Sequence, residues 1–317
     1  MIKQTAFSRF GRALAVFACT LGLVTLPQTG LAQSDQSDQS ADSWSLEPDA
    51  RVEIGFVSAQ STTSEEQLVI AGDAFTVRGQ VGIGFENETT RLRLEADRIE
   101  VFRLEEGRSN SHRDRFTATF DQEIGDDWEV QLRARHYDDF VTAESADTDE
   151  WQGSARITYE PASEHRFRLR GTWRSREYAN GAAAETHGEG ARIDAQYRRR
   201  FDRYHYLTFD LRAENITSDD PRRGYDRQSA RVSYTLPVTP DLRVRPAIEV
   251  IQTEFDSRIG DDGAARRDRL VVPEIELLYW PGQWRAEAEA KYIFADSNDA
   301  FRDRAGYRLT LSIGYAF

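Results

Sequence analysis

The last eleven residues, 307–317, read YRLTLSIGYAF and decide the fold. Large apolar side chains alternate there with small or polar ones, and this period of two belongs to a β-strand with one apolar and one wet face. The same alternation recurs at 75–85 and at 284–294. A helical period is absent from residue 50 onward. We therefore expect an all-β protein.

The predicted connections between strands alternate in length. Short turns are expected near 86–89, 123–127, 160–164, 200–203, 238–241 and 280–283. Longer polar segments lie near 104–111, 142–149, 177–189, 217–224, 256–267 and 296–302. Aromatic residues flank the short turns: Phe120, Trp128, Tyr159, Phe167, Tyr197, Tyr204, Tyr279 and Trp284. This arrangement is typical of transmembrane antiparallel up-and-down β-barrels, which have short turns at one end, long loops at the other and aromatic girdles at the interfaces.

Parity sets the number of strands. Thirteen are predicted between Phe75 and Phe317, and an even number is needed if both chain ends are periplasmic. A strand at 51–57 supplies the fourteenth, and twelve strands is the alternative if 51–73 does not pair. Pro246 and Pro273 fall inside predicted strands eleven and twelve. Because each removes a ladder hydrogen bond, we expect β-bulges there.

The amino-terminal segment predicts export. The chain has 317 residues and a net charge of −13, and its only long apolar stretch is 13–26. No later segment approaches the roughly 20 apolar residues of a spanning helix, which excludes a helical membrane bundle. Basic residues precede the stretch and small residues follow it: Lys3, Arg9 and Arg12, then Gly30 and Ala32. We expect a signal peptide at 1–32, a disordered periplasmic leader at 33–49 and the barrel at 50–317. Lipoprotein cleavage before Cys19 is disfavoured by the bulky Phe17.

On these features the chain resembles Gram-negative outer-membrane β-barrel proteins of the porin-like superfamily. The resemblance covers 51–317 and implies location in the cell outer membrane. It also implies that the terminal alternating residues form the recognition signal for the barrel-assembly machinery: Tyr307, Leu309, Leu311, Ile313, Tyr315 and Phe317. The implied partners are this machinery, outer-membrane lipid and lipopolysaccharide, and small hydrophilic solutes. No nucleic-acid partner is expected.

The wet faces of the predicted strands carry opposite charges in different places. Basic positions cluster on strands five to eight: Arg133, Arg135, Arg156, Arg166, Arg168, Arg170 and Arg192. Acidic positions cluster on strands twelve and thirteen: Glu274, Glu276, Glu287 and Glu289. In a fourteen-stranded ring these sets face each other, which would create a transverse field across a pore. Arginine is nearly the only cation, since Lys3 and Lys291 are the only lysines. The alternatives are that both signs merely solvate the interior, and that this preference for arginine reflects genomic composition.

These observations predict a porin-like channel for passive diffusion of small hydrophilic solutes, with anionic solutes as one option, and with no catalytic residue, cofactor or metal. An export or assembly partner for surface polysaccharide or lipoprotein, and a closed structural barrel, are the alternatives. A histidine–aspartate pair at the rim, His112 with Asp139, is geometrically conceivable but resembles ordinary surface chemistry. Acidic clusters at 147–150 and 261–262 could bind calcium weakly, although neither matches a defined calcium loop.

Overall fold

The described residues of the chain, in a computed structural model, are 44–61, 63, 69, 71–138, 147–179 and 186–317. They form fourteen β-strands: β1 (Ser45–Ala59), β2 (Gly72–Glu86), β3 (Thr90–Arg103), β4 (Ser111–Ile124), β5 (Trp128–Asp138), β6 (Asp147–Ala162), β7 (His165–Ala179), β8 (Thr186–Asp202), β9 (His205–Ser218), β10 (Tyr225–Pro237), β11 (Leu242–Ile259), β12 (Ala265–Tyr279), β13 (Trp284–Ser297) and β14 (Gly306–Ala316). A short 3-10 helix at Pro221–Arg223 precedes β10. None of these residues belongs to a helix long and apolar enough to cross a membrane. The expected signal peptide and residues 33–43 of the expected leader lie outside the described residues.

The strands close into one antiparallel barrel in which each strand pairs with its sequence neighbours and β1 pairs with β14. The closing seam sets Ile54 opposite Ile313 and Phe56 opposite Leu311. This confirms fourteen strands over the alternative of twelve. β1 begins at Ser45, six residues before the expected Arg51, because residues 45–50 continue the ladder with residues 81–86 of β2.

The expectation of bulges at the two prolines is wrong. β11 and β12 keep one register from Leu242–Tyr279 to Glu254–Arg267, with Pro246 opposite Ile275 and Pro273 opposite Ile248. Each proline instead leaves a gap in the ladder on its other side, and the register is the same before and after each gap. A missing N–H therefore interrupts pairing locally without inserting a residue.

The apolar side chains point outward, as a barrel in lipid requires. Leu132, Leu169 and Leu211 are between 51% and 59% exposed, whereas the lumen-facing residues next to each of them on the same strand are more buried. Near the short turns a band of stacked rings crosses β5 to β9: Trp128, Tyr159, Phe167, Tyr197 and Phe209. Ring centroids lie 4.3 Å apart in the Trp128–Tyr159 pair and 4.9 Å apart in the Phe167–Tyr197 pair. This is the predicted girdle.

Tyr204 is an exception to the girdle. It occupies the two-residue turn between β8 and β9 with φ of 64°. Its ring contacts the Arg243 guanidinium at 3.7 Å instead of joining the stacked band.

The connections confirm the predicted alternation, although several loops are shorter than expected. Every second connection has two to four residues, as at 163–164 and 280–283. At the other end, strands occupy parts of two predicted loops. Within 177–189, β7 continues to Ala179 and β8 begins at Thr186; within 256–267, β11 continues to Ile259 and β12 begins at Ala265. We call the short-turn end periplasmic and the long-loop end extracellular.

Candidate functional site: the barrel lumen

The residues predicted to line the pore occupy lumen-facing positions of their strands. On β7 the even-numbered residues are less exposed than the outward Phe167, Leu169 and Trp173. The same alternation places the predicted basic residues of β5 to β8 inside: Arg133, Arg135, Arg156, Arg166, Arg168, Arg170 and Arg192. It also places Glu274 and Glu276 of β12 inside, and the interior cavities reach Glu287 and Glu289 of β13.

The described residues enclose three polar cavities inside the barrel. The β7 cavity, of about 360 Å³, contacts Arg156, Arg168 and Arg170. The central cavity, of about 310 Å³, contacts Glu274, Glu276 and Glu289. A third, of about 110 Å³, lies against β13 and β14. The first two share Arg212, Ser229, Arg231 and Glu249, and the last two share Glu276 and Glu289. Shared walls make the three cavities neighbouring parts of one polar interior.

Three of the four acidic residues are balanced by cations, whereas Glu287 accepts a hydrogen bond from the Trp280 Nε1–H at 3.1 Å. Arg231 of β10 lies 2.6 Å from Glu274 and 3.1 Å from Glu276. Arg245 of β11 also pairs with Glu276. Lys291 lies 3.3 Å from Glu274 and 2.9 Å from Glu289. Carboxylate oxygens of the three glutamates lie within 4.8 Å of one another, a spacing that a metal ion could use, but three cations already balance three carboxylates.

This pairing changes the expected picture of two facing walls of opposite charge. The sequence pattern identifies glutamates on β12 and β13 but gives no sign that Arg231 and Arg245 reach them from two adjacent strands. The acidic side is therefore a local ion-pair cluster, and its field is weak at a distance because opposite charges lie in contact.

The basic side is balanced much less. Among the described residues, Arg168 and Arg170 have no ion-pair partner, and the Nε of each is buried without a hydrogen-bond partner. Arg133 donates to Gln131 at 2.8 Å, which is a neutral acceptor. Like charges also face each other across the ladder, since Arg156 lies opposite Arg170 and Arg166 opposite Arg198. The lumen face of β5 to β8 therefore keeps an excess of positive charge.

A buried network at the extracellular end was missed by the sequence analysis. The Glu150 side chain is fully buried and pairs with Arg174 at 3.0 Å and with Arg176. Arg174 also lies 3.0 Å from Glu214, which pairs with Arg227 at 3.0 Å. Glu150 was grouped with the acidic loop residues 147–150, because the sequence gives no sign that β6 already begins at Asp147.

Two described residues of the segment between β1 and β2 also reach the interior. Thr63 lines the central cavity, and Val69 is 1% exposed, packed with Val57, Ala59, Ala74 and Val101. The Val69 carbonyl accepts a 2.6 Å hydrogen bond from Arg308 of β14. The extracellular end of the lumen is therefore narrowed on the β1–β3 side, which no sequence signal indicated.

Two further candidate sites were the His112–Asp139 pair and the acidic cluster at 261–262. Asp139 lies outside the described residues, so the pair with His112 is not described. Asp262 accepts hydrogen bonds from the Ala264 N–H at 3.0 Å and from Asn298 at 2.9 Å, and these bonds hold the pKa of its carboxyl below the ordinary value. The hydrogen bonds to its carboxylate therefore stabilise the β11–β12 loop.

No protein-family description matches the sequence, and no curated protein matches it. Solved structures do match. The outer-membrane expressed form of OmpT of Vibrio cholerae superposes with a TM-score of 0.53 at 9% identity, covering 89% of this chain and 100% of that chain. A trimer form of in-vitro folded OmpT, also described as an outer membrane protein of Vibrio cholerae, gives 0.53 at 9% identity, covering 87% and 100%.

Closed pairing, an apolar outer surface, a band of stacked rings and a polar interior together define an outer-membrane β-barrel. This confirms the predicted fold class and location. At 9% identity the likeness to OmpT concerns the fold alone.

Proposed function

We propose that the protein is a porin-like channel through which small hydrophilic solutes, anions above all, diffuse passively across the outer membrane. The observation that carries this proposal is the chain of polar cavities whose β7 side keeps two arginines without an ion-pair partner. Passive diffusion needs no catalytic residue, cofactor or metal. The lipid, lipopolysaccharide and assembly-machinery partners expected from the resemblance belong to this proposal.

The charge distribution supports anions over cations. Field lines from uncompensated charges are focused in a water-filled lumen with low-dielectric walls, so counter-ions accumulate there. Arginine keeps its charge at any physiological pH and offers a planar fork of donors that suits carboxylate and phosphate. Apolar solutes gain nothing from such a lining, because they would displace water without replacing its hydrogen bonds.

One observation favours a closed structural barrel as a second candidate. Val69 and its apolar neighbours pack inside the extracellular end, and Arg308 is tied to the Val69 carbonyl. If this packing seals the lumen, the ion pairs inside serve stability alone. The export-partner alternative has no comparable support in the described residues.

The test is single-channel conductance of the refolded barrel in a planar bilayer, with the reversal potential measured under a salt gradient. The proposal predicts stable open steps and anion preference, with most of that preference lost in Arg168→Gln/Arg170→Gln. Arg91→Gln/Arg93→Gln is the matched control, because these arginines also alternate along one strand but already pair with Glu86 and Asp49 at 2.6 and 2.9 Å. A folded but silent barrel would establish the closed form instead.

A further inference from the structure

The β7 cavity contains charges of both signs, and several of them are already paired. Its charged lining consists of Arg156, Arg168, Arg170, Arg212, Arg231, Asp194, Asp210 and Glu249. Arg212 donates to Asp194 at 2.7 Å, and Gln196 donates to Asp210 at 2.7 Å. Arg156 pairs with Glu129, and Arg231 with Glu274.

Four charged groups have no ion pair among the described residues, and one of them, Asp210, accepts a hydrogen bond from the neutral Gln196. Arg168 and Arg170 remain on the β7 side, and Glu249 remains on the β11 side, without an ion pair among the described residues. Glu249 lies opposite Arg231 in the ladder, but Arg231 reaches the two β12 glutamates instead. The cavity thus has two arginines on one side and a carboxylate on the other that form no ion pair among the described residues, with β8, β9 and β10 between them in the ring.

The two arginines form a preorganised pair. They are two positions apart on one strand, so their Cα atoms are roughly 7 Å apart and both side chains leave the same face. Each presents a buried Nε–H that no described residue accepts, as Arg133 and Arg135 do elsewhere in the lumen. Arg168 and Arg170 differ in that both line one cavity and lack an ion pair among the described residues, so their two forks of donors suit an anionic oxygen ligand.

Glu249 determines which chemical groups the other end of such a ligand can carry. An ionised carboxylate accepts hydrogen bonds and repels a second acidic group. Ser229, on the intervening β10, lines the same cavity and can donate or accept. A volume of about 360 Å³ falls in the range of sites for small organic molecules.

We propose that the β7 cavity is a binding site for polar organic acids that carry one acidic group at one end and hydrogen-bond donors at the other, as hydroxy acids and amino acids do. Arg168 and Arg170 bind the acidic end, and Glu249 accepts hydrogen bonds from the donor end. This inference rests on the proposed channel, since it names the class of solute that the channel retains during passage.

Three linear six-carbon solutes test the proposal: sorbitol with no carboxylate, gluconate with one and glucarate with two. Binding to the refolded barrel in detergent is measured by titration calorimetry, and current fluctuations are recorded in bilayers in parallel. We expect saturable gluconate binding that is about tenfold tighter than that of either other solute, the size of effect that one charge-assisted hydrogen bond gives.

The variants separate the two ends of the site. Arg168→Gln/Arg170→Gln should reduce gluconate binding to the level of sorbitol, and the control Arg91→Gln/Arg93→Gln should leave it unchanged. Glu249→Gln should remove the penalty on the second carboxylate, so that glucarate binds at least as tightly as gluconate. Circular dichroism and the heat-induced gel shift confirm that each variant is folded.

Each outcome is decisive for one claim. A conducting barrel that binds the three solutes equally overturns the site and leaves the channel. A barrel that binds gluconate as expected but never conducts overturns the channel and keeps the site. Gluconate binding that survives loss of both arginines, or unchanged discrimination against glucarate in Glu249→Gln, overturns the assignment of residues.

Discussion

Strand β7 carries two kinds of arginine on one face. Near the extracellular end, Arg174 and Arg176 share the carboxylate of Glu150, and the side chains of Arg174 and Arg176 are at most 3% exposed. In the periplasmic half, Arg168 and Arg170 have the same spacing and the same face, but no described carboxylate lies within ion-pair distance of them. Residue type and spacing are identical in the two halves, so the neighbouring strands alone decide whether the charge is structural or available to solutes.

The physical contrast lies in desolvation. A buried charge is tolerated only when its partner and hydrogen bonds offset the loss of water, and removing one partner leaves an uncompensated charge. The extracellular half meets this condition through Glu150 and Glu214, whereas the periplasmic half opens to the β7 cavity. We therefore expect the two halves to respond in opposite ways to substitution.

The largest effect should come from Glu150→Gln. Two buried guanidinium groups would lose their common carboxylate, at a cost of about 3 to 5 kcal/mol in the free energy of unfolding. Urea unfolding of the barrel in detergent micelles measures this cost. Glu177→Gln is the control, because Glu177 is an exposed acid near the same end of β7. Equal unfolding midpoints for the two variants would show that the extracellular half is not held by ion pairs.

Arg168→Gln/Arg170→Gln should behave differently in the same unfolding experiment. Neither side chain forms an ion pair within the described part of the chain, and Arg170 lies opposite Arg156. We expect a stability within about 0.5 kcal/mol of the parent protein. The companion variant Arg174→Gln/Arg176→Gln should unfold as readily as Glu150→Gln. A large loss in the first pair would contradict the division of β7.

Ionic strength should separate the halves without any substitution. Raising salt from about 0.1 M to 1 M shortens the Debye length from about 10 Å to about 3 Å, which screens the open arginines from passing ions. Anion selectivity, measured as the reversal potential at a fixed activity ratio, should fall over this range. The urea midpoint should change little, because the Glu150 pairs are buried. Selectivity that does not depend on salt would point to contacts rather than long-range charge.

The fold was predictable because every strand repeats one strong signal. Alternation such as that of 307–317 places each side chain in lipid or lumen, and loop parity then fixes the number of strands. The same alternation predicts which side chains face the interior, and the role of those residues as a pore lining stays a prediction. Their pairing was not predictable, because the partners come from other strands at register positions that no single strand encodes. Glu150, Arg231 and Val69 are three residues whose contacts depend on segments that the pattern of their own strand does not specify.

The smallest effect is expected from a substitution that removes the ion-pair partner of a lumen arginine. Arg156 pairs with Glu129 and more weakly with Asp121, at 3.6 Å. Glu129→Gln should release Arg156 toward the β7 cavity and raise anion selectivity slightly. Glu123→Gln removes the same charge from the position directly opposite Glu129, where it pairs with no arginine among the described residues. If anion selectivity increases more in Glu129→Gln than in Glu123→Gln, ion pairing as well as net charge determines the selectivity of the lumen. If it increases equally in both variants, net charge alone determines selectivity, and the contrast between paired and unpaired arginines on β7 has no effect on it.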